Sequence, residues 1–200
     1  MSILGDNLEL AARVSRAKSN SLIVTYNDKA GTVVADGRQK GGAAVLLGFK
    51  NGGKASYTVE GGGTQLEVAV ASTATVTRDG SPLGSIVGGG TSARIESAGG
   101  SVLAHIKPYA GSKADAAWSH PLTSPSGSPL GALTLMRNAG GWSVGDFLFW
   151  TATWDMAGLG LKAPSAGALL QLQAPVDDIL GDLLVAALLD VSTLPRGYIE

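Results

Sequence analysis

Apolar residues recur along this chain in two patterns. Through most of its length they alternate with polar ones, as a strand with one buried face requires, and near the C-terminus they run together without a polar break. Thr64–Ala71 alternates most clearly, with Leu66, Val68 and Val70 on one face and Gln65 and Glu67 on the other. Ser21–Tyr26 and Thr32–Ala35 flank the turn Asn27–Gly31, and Ala43–Phe49 is a nearly continuous apolar run. Further strands are predicted at Ser56–Glu60, Thr73–Arg78, Leu83–Val87, Ala93–Glu96, Val102–Lys107, Leu130–Arg137, Asp146–Trp154 and Ala168–Gln173. Asn7–Arg16 carries both periods: Leu8, Leu10, Ala12 and Val14 alternate, while Leu4, Leu8, Ala11 and Ser15 fall on one helical face. It is read as a strand.

The C-terminal run is different. Leu183–Leu189 has no polar face, so a helix there must be surrounded by protein on every side. Pro175 and the acidic pair Asp177 and Asp178 mark its start, and Pro195 and Gly197 lie beyond its end, which predicts a helix over Asp177–Val191. Seven apolar residues fall well short of the roughly 20 needed to span a bilayer. Glycine turns at Asn51–Gly53, Gly61–Gly63, Gly88–Gly90, Ala98–Gly100 and Asn138–Gly141 join the strands as antiparallel hairpins. Tyr109–Pro129 reads as a longer linker. Residues 1–200 therefore read as one mainly β domain: a closed antiparallel barrel of about twelve strands around one buried C-terminal helix.

A repeat sharpens the pattern. Gly80-Ser81-Pro82-Leu83-Gly84 recurs as Gly127-Ser128-Pro129-Leu130-Gly131, with weaker echoes at Asp28…Gly31…Val33 and at Gly99-Gly100-Ser101-Val102-Leu103. Physically this is a tight turn delivering a strand whose second glycine bends or admits a close backbone. Turns of this form along a β-rich chain that ends in a very apolar helix resemble the tubby-like barrel superfamily. That group includes tubby C-terminal domains, phospholipid scramblases and LURP-one-related proteins. The resemblance covers Asn27 to Asp190 in pattern and is strongest at Asp79–Ile86, Ser126–Leu133 and Ile179–Asp190. It implies a twelve-stranded antiparallel barrel wrapped around the helix, and a phosphoinositide- or phospholipid-directed activity. The dense Lys/Arg cluster of tubby domains and the cysteine-rich stretch of scramblases are not in this sequence.

Composition narrows the chemistry. The chain has no cysteine, which excludes disulfides, thiol nucleophiles and thiolate-held metals. Its net charge of −1 gives no global basis for binding DNA, RNA or an anionic membrane, which leaves only a local basic patch. The N-terminus shows no secretory signal, so the expected location is the cytoplasm, with peripheral membrane contact allowed. Gly48–Lys54 matches a phosphate loop as far as its lysine, but Ala55 stands where magnesium needs a hydroxyl, and Ser56–Glu60 reads as a strand instead of the required helix. His105 and His120, with Asp115 alone nearby, form a weak metal set, and Ser119 or Ser124 with His120 lacks a nucleophile elbow. No cofactor is expected.

Two surfaces remain. Trp142, Phe147, Phe149, Trp150 and Trp154 concentrate the large aromatics in one segment, so one face of Asp146–Trp154 packs inward and the other offers an apolar contact. The basic residues Lys40, Lys50, Lys54, Arg78, Arg94 and Lys107 are spread over several strands and can converge on a barrel wall. The expected function is a non-enzymatic binding or scaffold module. Its surface, with Trp150, Trp154, Lys50, Lys54, Arg78, Arg94 and Lys107 as contact residues, holds a partner protein or phospholipid headgroup. A nucleotide-binding protein or enzyme using Gly48–Lys54, and a structural subunit of a larger assembly, are the alternatives.

Overall fold

The computed structural model describes residues 2–16, 22–40, 55–71, 73–89, 92–108, 110, 117–136 and 167–193. Twelve strands lie in sequence order around a closed antiparallel barrel: β1 (Glu9–Arg16), β2 (Leu22–Asp28), β3 (Val33–Lys40), β4 (Ala55–Gly61), β5 (Thr64–Val70), β6 (Thr73–Arg78), β7 (Ser81–Gly89), β8 (Ser92–Ser97), β9 (Val102–Ile106), β10 (Ala117–Thr123), β11 (Pro129–Met136) and β12 (Gly167–Leu172). The ring closes where β1 pairs with β12, Glu9 opposite Gln171 and Ala12 opposite Ala168. Alternation decides the inward face. On β5, Leu66, Val68 and Val70 are buried while Gln65, Glu67 and Ala69 face out.

One helix, α1 (Asp178–Thr193), fills the interior. Asp177 caps it: its Oδ1 accepts the N–H groups of Ile179 and Leu180, both at 2.9 Å. Sixteen residues make a rod of about 24 Å. Every residue from Leu183 to Leu189 has 0% of its surface exposed, as the missing polar face requires. Burying each Leu or Val side chain contributes roughly 1.5–3 kcal/mol, so this helix is the centre of the hydrophobic core. β3 makes room for it at Gly37, where an added Cβ would already touch Leu189 Cδ1 and the Val24 Cβ at 3.4 Å.

The repeat is structural and occurs four times. In each copy a positive-φ glycine (Gly31, Gly80, Gly100 or Gly127, φ between 80° and 89°) precedes a β-bulge. The unpaired extra residue is Val34, Leu83, Leu103 or Leu130 in turn. All four are apolar and pack on the core. The next residue is always small: Ala35, Gly84, Ala104 or Gly131. At Gly84 and Gly131 a Cβ would fall 2.1 Å from the Glu96 carbonyl oxygen and 2.0 Å from that of Gln171, so the neighbouring backbone admits no side chain.

The weak echoes match best in the turn itself. Residues 28–32, 97–101 and 124–128 are closed alike. Asp28, Ser97 and Ser124 donate their N–H groups to the carbonyls of Thr32, Ser101 and Ser128, at 2.9, 2.9 and 2.8 Å. Their side-chain oxygens accept the N–H groups of the same three residues, at 2.8, 3.2 and 3.0 Å. The turn at 78–81 is one residue shorter and places Asp79 at φ 49°.

These turns, with Gly62-Gly63 between β4 and β5, all lie at one end of the barrel, the turn end, where α1 also begins. Ser2, Ile3 and Leu4 are buried across this end. They are held by the wholly buried Asp182 of α1, whose Oδ1 accepts the Ser2 hydroxyl at 2.8 Å and the Ile3 N–H at 2.7 Å. Arg78, at the end of β6, donates to Asp182 Oδ2 at 2.8 Å. Gly181 lets the strap approach, since a Cβ there would lie 2.8 Å from Ser2 Oγ.

One expectation is corrected. Tyr109–Pro129 is not simply a linker, because it contains β10, with Trp118, His120 and Leu122 buried on its inner face. The histidine and Pro121 break up the apolar alternation that would have marked it. Asn7–Arg16 resolves as a strand, beginning at Glu9. The predicted strands Ala43–Phe49 and Asp146–Trp154 lie outside the described residues.

Candidate functional surface

With α1 occupying the barrel axis, the faces left for a partner are the outer wall and the two ends. Of the basic residues picked out in the sequence, Arg94 and Lys107 come together. Arg94 is exposed on β8, ion-paired with Glu96, and sits opposite His105 of β9. Lys107 is exposed two residues after His105, and its N–H continues the ladder to the Pro121 carbonyl at 2.8 Å. Alternation turns Arg94, His105 and Lys107 outward on adjacent strands.

Arg78 does not join them. It lies at the other end of the barrel and neutralises the buried Asp182, a structural duty. Lys40 is exposed on β3 and hydrogen-bonds Glu67 at 2.5 Å. Lys50, Lys54, Trp150 and Trp154 lie outside the described residues.

Sequence reasoning missed a segregation of charge along the barrel axis. Among the described residues, the exposed cations Arg13, Arg38, Lys40, Arg94 and Lys107 lie towards the far end, where β3 finishes and β4 and β8 begin, in excess over the acids among them, the exposed Asp36, Glu67 paired with Lys40, and Glu96 paired with Arg94. The turn end has one exposed cation, Lys29, beside the exposed acids Asp6, Glu60, Asp79, Asp177 and Asp178. The signal was available once strand direction was known: acids cluster at the turns joining even-numbered strands to the next, cations near the opposite strand ends.

The chemical alternatives separate on geometry. Ser119 and His120 are adjacent in sequence but face opposite sides of β10. Ser119 is exposed and accepts a hydrogen bond from the Thr134 hydroxyl at 3.1 Å, whereas His120 is buried with Nδ1 3.2 Å from the Lys107 carbonyl. Burial lowers the His120 pKa, with an opposing contribution from that carbonyl. Among the described residues no three His, Cys, Asp or Glu side chains cluster as metal ligands. The chain enters β4 directly after Lys54, so a strand stands in place of the helix N-terminus that a phosphate loop aims at its ligand. No described helix is long and apolar enough to cross a membrane. Comparison with protein-family models, curated proteins and solved structures finds no match for the chain.

Proposed function

We propose that this protein is a non-enzymatic binding module that holds an anionic group, carried by a phospholipid headgroup or a partner protein, against the far half of its barrel wall. The observation that carries this reading is the axial separation of charge. Five exposed cations lie towards one end, on β1, β3 and β8 and just after β9, and outnumber Asp36, Glu67 and Glu96 among them, while the exposed charges of the turn end are mainly acidic. Such a field attracts and orients an anionic partner even though the molecule is nearly neutral. Arg94, His105 and Lys107 are the contact residues on one side of the barrel, and Arg38 and Lys40 on the other. The filled interior supports binding on the outside.

In this reading the protein is cytoplasmic and touches a membrane only peripherally. Its relation to the tubby-like group is part of the same proposal, supported by the sequence-ordered twelve-stranded barrel around a C-terminal helix.

Co-sedimentation with vesicles of neutral phosphatidylcholine, with and without phosphatidylserine, tests the headgroup. Binding that needs the anionic lipid, weakens with salt and is lost in Arg94→Glu/Lys107→Glu but retained in Lys29→Glu supports it. Cross-linking capture from the native source, with the same variants, tests the protein partner. Binding that ignores Arg94 and Lys107 in both experiments overturns the proposal.

A further inference from the structure

The inner faces of β2, β3 and β4 carry three polar side chains on neighbouring strands. Facing the helix are Leu22, Val24 and Tyr26 on β2, Ala35, Gly37 and Gln39 on β3, and Tyr57 and Val59 on β4. Tyr26 is wholly buried and its hydroxyl has no hydrogen-bond partner. Gln39 is 5% exposed. Its Oε1 accepts the Leu22 N–H at 3.2 Å, but its Nε2 donates to nothing. Buried donors left unpaired are costly and uncommon, so two of them on adjacent strands call for a shared cause.

The backbone brings them towards one another. Tyr26 is paired with Ala35, yet its Cε2 reaches within 3.5 Å of the position a Cβ would take on Gly37. The ring therefore leans along β3 in the direction of Gln39, the next inward residue, over a glycine that leaves the space clear. Tyr57 lies directly across from Gln39. Burial raises the Tyr26 phenol pKa and the nearby Tyr57 raises it further, so the hydroxyl stays protonated and able to donate.

We infer that Tyr26 Oη and Gln39 Nε2 are bridged by one ordered water inside the barrel, between β2, β3 and the C-terminal half of α1. Water suits this site because it accepts from the amide while exchanging a hydrogen bond with the hydroxyl. An ion would lack a countercharge among the uncharged inward residues of these strands, and an apolar guest would leave both groups unpaired.

A high-resolution crystal structure of the intact chain is the direct test. One ordered peak within hydrogen-bond distance of both atoms is expected; no peak, or direct contact between Oη and Nε2, overturns the inference. Thermal unfolding gives an independent sign. Tyr26→Phe lowers the midpoint if the hydroxyl is bonded through water, and raises it if the hydroxyl is merely an unpaired burden. The Tyr26→Phe shift should also shrink in a Gln39→Leu background, whereas strict additivity of the two changes removes the bridge.

Discussion

The two ends of this barrel are built differently. At the turn end, three turns share one set of hydrogen bonds, four bulges insert an apolar residue into the wall, and a buried carboxylate ties the N-terminal strap, β6 and α1 together. Near the far end the exposed cations sit on plain ladder positions such as Arg38 and Arg94. The turn end rests on a buried carboxylate and on backbone conformations fixed by positive-φ glycines, so single changes there cost stability. The far end carries charges that contribute little to stability and are therefore free to serve recognition. In the proposed reading, structure and binding occupy opposite ends of one axis.

The largest effect expected is on the element both ends share. Leu184→Asp puts an unpaired charge on a helix face with no exposed surface, at a cost of several kcal/mol against a total stability of about 5–15. The chain should fail to fold by circular dichroism. Asp182→Ala, confined to the turn end, leaves the Arg78 guanidinium and two other donors without their acceptor and should cost about 3–5 kcal/mol in denaturant unfolding. A cost below about 1 kcal/mol would mean that the strap is not anchored as described.

The glycines separate crowding from backbone conformation. Gly84→Ala drives a methyl into the Glu96 carbonyl without any positive φ and should cost about 1–3 kcal/mol. Gly100→Ala meets open space and bears only the positive φ, about 1–2 kcal/mol. Acid should loosen the β9–β10 region. Because burial holds the His120 pKa below its ordinary value near 6.5, the unfolded chain takes up that proton first. Stability is complete above about pH 6.5 and declines as pH falls through that value towards the folded pKa, a slope that His120→Gln should remove. Lys107→Glu is the smallest change in stability, within about 0.5 kcal/mol, yet it should weaken binding to anionic vesicles. A large loss of stability there would erase the contrast between the ends.

Much of this was legible in residue order. The absent polar face of Leu183–Leu189 implied a surrounded helix, and alternation in Thr64–Ala71 oriented β5. The Gly-Ser-Pro-Leu-Gly repeat marked two of the four bulges. The other two were harder to read because Ala35 and Ala104 replace the second glycine, although Asp28 and Ser97 close their turns just as Ser124 does. β10 was hidden by a buried histidine at an inward position. For the candidate surface, residue types were visible but their placement was not. Arg78 and Arg94 look equivalent in sequence, and only their places on two strands that run the same way, Arg78 at the end of β6 and Arg94 near the start of β8, separate a structural ion pair from an outward charge.

The closure of β1 on β12 has a consequence in time. Most neighbouring strands are close in sequence and can pair as soon as both exist, but β12 follows β11 only after residues 137–166, the seam joins Glu9 to Gln171, and α1 comes later still in the chain. Until Asp178–Thr193 arrives, the curved sheet presents its apolar face with nothing to cover it, in the regime of large sequence separation where folding takes milliseconds to seconds. During synthesis the barrel waits on its last element. Until the helix is made, that open apolar face is the surface on which chains can associate with one another.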